Sequence, residues 1–262
     1  MSSTELAVIE PGSYPVLAQD LDDVREIIDD VLDGDILTER DLPRVIVPAG
    51  GGTTWEVGTE SIRELDGILI HTVQTRSYWP HDAEDGTPPA CSSRGPDHKA
   101  IGTGTPGGPC SECPLAEFGS ALDDAGQPGA GQACAKNELW FMLRQSGVGT
   151  FLPVVVKFPP TSVQAAGKYR KGVLGSAGLR KTAVVTRLTL SKQEKGRESY
   201  SIIVPTVAGN LSPEEAARAQ AFAADLRPVL EDAAAAEADG RRGEPVPVTP
   251  DGEPDVTDEA GE

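Results

Sequence analysis

The feature that most limits how this chain folds is a stretch of 55 residues, 80 to 134, built largely from Pro, Gly, Asp, Ser and Cys and lacking helical or strand periodicity. An excursion of that length inside a compact domain is uncommon unless something ties it down. All four cysteines of the chain, Cys91, Cys110, Cys113 and Cys134, lie within it. They supply the tie.

Cys110 and Cys113 form the sequence CSEC, flanked by Pro109 and Pro114. That spacing lets two thiolates reach one tetrahedral ion at about 2.3 Å from a single tight turn. Cys91 and Cys134 stand at the ends of the irregular stretch, so a four-cysteine site would pin its start and finish to its centre. Four thiolates close the coordination shell, which makes zinc the expected ion and its role structural. His81 and His98 are substitute ligands if one cysteine stays free. Two other uses of the thiols stay open: a CxxC redox pair, for which the thioredoxin-like βαβ context is missing, and an iron–sulfur cluster.

Charge is segregated along the 262 residues. Residues 1 to 43 carry 12 acidic and 2 basic side chains, and residues 211 to 262 carry 14 and 4, a net −10 at each end. The middle, 44 to 210, is close to neutral at +2, and within it residues 157 to 197 hold ten cations against Glu194 alone. These are Lys157, Lys168, Arg170, Lys171, Arg180, Lys181, Arg187, Lys192, Lys195 and Arg197. Such a block is the electrostatic footprint of a surface that follows a phosphate backbone, although a solvated face has the same composition.

Bases of a single strand stack on exposed rings set among cations. The ring candidates are Tyr78 and Trp79, which follow Arg76 at a strand end, Trp140 beside Phe141, and Tyr169 within KYRK, where its cationic neighbours predict an exposed ring. Core positions are the alternative for Trp140 and Phe141. Enzymatic constellations are lacking: His71, His81 and His98 accompany no HExxH, no triad order and no nuclease-like carboxylate cluster, and Asp82, Glu84 and Asp85 sit in a loop. The glycine-rich GGGTTW lacks the Lys-Ser/Thr ending of a P-loop. A non-enzymatic protein is expected.

Periodicity divides the chain into an acidic N-terminal segment (1 to 43), a core (44 to 210) with the cysteine insertion at 80 to 134, a helix (211 to 237) and an acidic tail (238 to 262). Apolar spacing predicts an amphipathic helix over 16 to 37, stopped at Gly34. Strands are expected at 67 to 79, 138 to 144, 151 to 157, 182 to 190 and 198 to 204. Ser162 is placed to cap a short helix near 163 to 174, and Ser212, Pro213 and Glu215 open the last helix with a capping box. The tail, rich in Pro, Gly, Asp and Glu, is expected to be disordered. Five strands with an interposed helix suit a β-rich, OB-like, partly closed barrel. No apolar run approaches the ~18 residues of a membrane helix, and the N-terminus lacks signal-peptide order, which predicts a cytoplasmic protein without membrane contact. In that reducing setting cysteines serve metals more readily than disulfides.

PACSSRGPD (89 to 97), GGPCSECPLAEFGS (107 to 120), GQACAKNELWFML (131 to 143), LPVVVKFPPTSVQAAGKY (152 to 169) and VVTRLTL (184 to 190) resemble a group of phage and mobile-element proteins taken to be zinc-containing single-stranded DNA-binding proteins. The resemblance spans about residues 44 to 215. In that group the first cysteine is usually followed by Ser and an Asp-Gly pair, whereas this chain has SSRGPDHK. The resemblance implies an OB-like fold, zinc and single-stranded DNA, with a role in DNA replication or recombination. The other expectation is a zinc-bearing adaptor that docks on a polymerase or repair enzyme through its acidic ends.

Overall fold

The computed structural model describes residues 13–32, 41–84, 87–123, 126–196 and 198–238. The helix stop expected at Gly34, Arg197 of the basic block and the tail beyond residue 238 lie outside them.

The described residues form a β-rich α+β architecture around one mixed sheet. Its eleven strands are β1 (Arg44–Ile46), β2 (Trp55–Val57), β3 (Glu60–Ile62), β4 (Glu64–Tyr78), β5 (Cys91–Arg94), β6 (Ile101–Gly104), β7 (Gly108–Pro109), β8 (Cys134–Leu143), β9 (Val154–Phe158), β10 (Val184–Lys195) and β11 (Glu198–Asn210). The hydrogen-bonded order is β3-β2-β1-β9-β8-β4-β5-β6-β7, with β10 joining β4 and β11 joining β10. Pairing is antiparallel except between β1 and β9. The order ends in open edges at β3 and β7, so the sheet is not a closed barrel.

β4 organises the sheet. Along one edge it pairs with β8 from Ile68 to Tyr78, while its first residues, 64 to 67, pair with β10 and its last, 75 to 78, with β5. Between Leu69 and His71 the register shifts. A bulge exchanges the faces that alternate side chains occupy. Before it Ile68 belongs to the same cluster as Phe141; after it, Thr72, Gln74, Arg76 and Tyr78 stand opposite Trp140, Glu138, Lys136 and Cys134.

Both faces of the central strands are buried, which explains why β8 is apolar almost without alternation through Leu139, Trp140, Phe141, Met142 and Leu143. One face, with Ile68, Phe141 and Leu143, is covered by Tyr14, Val24 and Ile28 from the N-terminal segment and by Phe222, Leu226 and Leu230. Apart from Tyr14, these covering residues come from α1 (Leu21–Leu32) and α3 (Pro213–Ala238). The other face encloses Trp140, Met142, Phe158 and Leu188 together with Trp55, Ala166 and Tyr169. Its lid is α2 (Pro160–Gly167), continued by a π-helical turn over Lys168–Leu174.

Helix ends follow local rules, with one correction. The backbone N–H of Glu215 donates to Ser212 Oγ at 3.2 Å, as the capping box predicts. Ser162 is not a cap: α2 starts two residues earlier, after Pro159, and the Ser162 hydroxyl is buried and accepts from Ile203 N at 3.0 Å. Proline at the first helical position sets the start. The hydroxyl instead docks the helix on β11.

Candidate nucleic-acid interface and cysteine lobe

The excursion is anchored by backbone pairing before any cysteine chemistry. β5 adds to β4 as Cys91 pairs with Tyr78, and Cys134 pairs with Tyr78 from the opposite side. Register alone therefore puts Cys91 and Cys134 on one face, one strand to either side of Tyr78. β6 pairs with β5, and β7 with β6. Backbone space is tight here: a Cβ on Gly102 would stand 2.8 Å from Cys91 Sγ, and Gly104 has φ +101°, a conformation suited to glycine.

Cys110 and Cys113 lie in and just after the 3-10 turn Cys110–Glu112, and the Cys110 thiol donates to Ser93 Oγ at 3.1 Å. None of the four cysteines forms a disulfide. Burial pushes the Cys134 thiol up to about 11; the Arg76 cation opposes that, and the proximity of Cys113, Cys91 and Cys110 adds to it. The four thiols thus share one neighbourhood. Among the described residues no three His, Cys, Asp or Glu side chains have closed on a common point. Thiols are the donor type that a soft divalent ion takes, and all four here are buried or half-buried.

An ion-pair clamp joins this lobe to the sheet. Arg76 donates through Nε and Nη2 to the two carboxylate oxygens of Asp97 at 2.8 and 3.1 Å, and through Nη1 to Cys134 O at 2.9 Å. Lys136 reaches the same carboxylate at 2.8 Å. The paired cations hold the Asp97 carboxyl down at about 2. Two residues along β8, Glu138 accepts from Arg170 Nη2 and Trp140 Nε1, both at 2.7 Å. Lys181 stands nearby with its ammonium pushed down to about 8, by burial first and then by Arg227 and Arg170.

These contacts redistribute the sequence candidates. Trp140 is fully buried, packed on Phe158 with ring centroids 4.3 Å apart, and in this fold it is a core residue, not a stacking platform. Tyr169, expected to be exposed, is 2% exposed and shares a 2.8 Å hydrogen bond with Thr186 Oγ1. The reason is the helical turn: Lys168 and Lys171 project to solvent while Tyr169 points into the core between them. Tyr78 and Trp79 are half-buried, and Trp79 Nε1 donates to Thr87 O at 3.0 Å. Arg76 and Arg170 belong to the ion pairs above, and Arg187 forms a fork on Asp66 at 2.8 and 2.7 Å with Glu64 beside it.

Within the described part of the basic block, exposed cations are Lys157, beside Arg44 on β9 and β1, Lys168 and Lys171 on the π-helical turn, Arg180, hydrogen-bonded to Gln220, and Lys192, paired with Glu194 at 2.9 Å. No ion pair to a described residue holds Lys168 or Lys171. The lobe has the opposite character: residues 80 to 134 carry eight acidic and two basic side chains. Of the two regions, the helix over the Trp140 core, with the exposed Lys168 and Lys171, is the basic one.

Sequence reasoning missed Ser93, Asp97, Lys136 and Glu138. Only strand register brings them together; the inward alternation of Lys136, Glu138 and Trp140 along β8 is the one signal that was present. Among known proteins, no family model, no curated protein and no solved structure matches this chain.

Proposed function

We propose that this chain is a non-enzymatic single-stranded DNA-binding protein of replication or recombination, with an OB-like core and one structural zinc. Topology is the observation that carries it. The order β4, β8, β9 on one side and β10, β11 returning to the first part of β4, with a helix between β9 and β10, fits the strand plan of a partly open OB barrel. Oligonucleotide-binding barrels use the loop after their first strand and the loop between their last two. Their counterparts here are the cysteine excursion and the β10–β11 turn at Gly196, which follows the strand that carries Lys192.

The strand is held by Lys168, Lys171 and Lys192, with Lys157 at the side, and the half-buried Tyr78 and Trp79 are the rings left for stacking. Cys91, Cys110, Cys113 and Cys134 are the residues that would hold zinc. Bound there, the ion would supply a structural tie and no chemistry of its own. Ser93 and Arg76 are placed to stabilise the Cys110 and Cys134 sulfurs around it.

Fluorescence anisotropy of labelled oligothymidylate tests the reading. Binding should weaken steeply with salt, and reversing the charge of Lys168 and Lys171 should lower the log–log salt slope by about 0.7 for each phosphate no longer neutralised. No binding at low salt, or equal affinity for duplex, would sink the proposal.

The adaptor reading has one observation in its favour. α1 and α3, both acidic, form an outer layer over the sheet, where a basic partner would meet them. One truncation separates the two readings. Retention of oligonucleotide binding after removal of residues 239–262 favours DNA, and loss of a polymerase or repair partner on the same removal favours the adaptor.

A further inference from the structure

The most exposed large apolar side chain among the described residues is Phe118, at 82%, on the cysteine lobe. It stands in a turn held by Gly119 N and Ala121 N, both donating to Gly131 O, with Leu122 49% exposed a few residues on. Glu117 beside it in the chain is exposed, as are Glu112 and Asp123 on the same lobe, so the lobe presents an apolar side chain on an acidic segment. On the π-helical turn Val173 is 47% exposed, and Lys168 and Lys171 of the same turn are exposed as well. That turn offers an apolar side chain on a basic segment.

The two surfaces complement one another in polarity and in sign, and neither covers the other within one folded chain. We propose that the Phe118 lobe docks on the Lys168–Val173 surface of a second copy, head to tail. Because the two surfaces differ, the contact is heterologous: it leaves one free lobe and one free helix at the ends of any assembly and propagates until it closes or stops. Opposite charge orients the encounter and burial of Phe118 holds it. This inference does not depend on the single-strand reading, although oligonucleotide and lobe would compete for Lys168 and Lys171.

Sedimentation velocity of the full chain over a concentration series, at low and high salt and without nucleic acid, tests it. The wild-type chain should sediment as concentration-dependent species larger than a monomer, and high salt should shift it toward monomer. F118D and the double variant K168E/K171E should each weaken association by about tenfold or more, with unchanged thermal melts because all three side chains are exposed. Mixed together, the two variants should form a dimer that grows no further, since each retains one intact surface. A wild-type chain that stays monomeric, an F118D variant that assembles normally, or a mixture of folded variants that does not pair would overturn the proposal. Assembly without oligonucleotide binding would leave this inference standing and remove the DNA reading; the converse result would do the opposite.

Discussion

The region around Trp140 and the cysteine lobe are parts of one sheet held together by different means. Around Trp140 the strands are covered on both faces, and the core clusters take in residues from all three helices and from most strands. Beyond Tyr78 the same sheet continues as short strands, and the buried positions there are Cys91, Ser92, Ser93, Ala100, Cys110 and Cys134. Small polar side chains and thiols bury little apolar area, and stability scales with that area. The lobe therefore depends on backbone pairing and on the Arg76–Asp97–Lys136 clamp. The difference teaches that a loop too poor in apolar residues to make a core can still be ordered when a long strand from a real core runs underneath it.

The contrast is strained hardest on the side of the Trp140 core. Trp140→Ala should cost about 3–5 kcal/mol, as for other buried aromatic deletions, and added zinc should not restore the loss; urea unfolding measures both. Glu138→Gln comes next. It leaves the Arg170 guanidinium beside the core without its counter-charge, and about 3 kcal/mol is expected, the lower end for a broken buried pair because Arg170 keeps 26% of its side chain exposed.

On the lobe side the effects should be smaller and local. Asp97→Asn removes the charge shared by Arg76 and Lys136, with an expected cost of about 1.5 kcal/mol and faster proteolysis between residues 91 and 134. The Asp97 carboxyl titrates near 2 in the folded chain against an ordinary 3.8. Its contribution is thus present above the ordinary value and lost as pH falls through about 2, and the Asn variant should lack that acid-side decline. The smallest change is Tyr169→Phe, which removes only the hydrogen bond to Thr186, for about 1 kcal/mol in a thermal melt.

Much of the sheet and its covering helices was legible in the sequence because hydrophobic pattern and turn chemistry are local. The strand expected at 67 to 79 forms over Glu64–Tyr78, and the helix expected at 212 to 237 forms over Pro213–Ala238 behind its Ser212 cap. Tyr169 shows where local reasoning ends. Its charged neighbours described the helix surface correctly, yet helical geometry sent the ring between them into the core. The clamp was invisible for another reason. Arg76, Asp97 and Lys136 meet only because a bulge after Leu69 shifts the faces of β4, and nothing in the spacing of those residues announces it. Convergence of the cysteines was expected from their position in an otherwise untied excursion, yet among the described residues no three of them meet at one point. That Tyr78 sits between Cys91 and Cys134 was not expected, since it depends on long-range register.

Hydrogen–deuterium exchange on the full chain, with zinc and after chelation, tests most directly that core and lobe are held by different means. Chelation should speed exchange across residues 91–94, 101–113 and 134–137 while amides of 139–143, 154–158 and 184–190 keep their protection. Equal loss in both regions, or a lobe whose protection ignores the metal, would contradict that division.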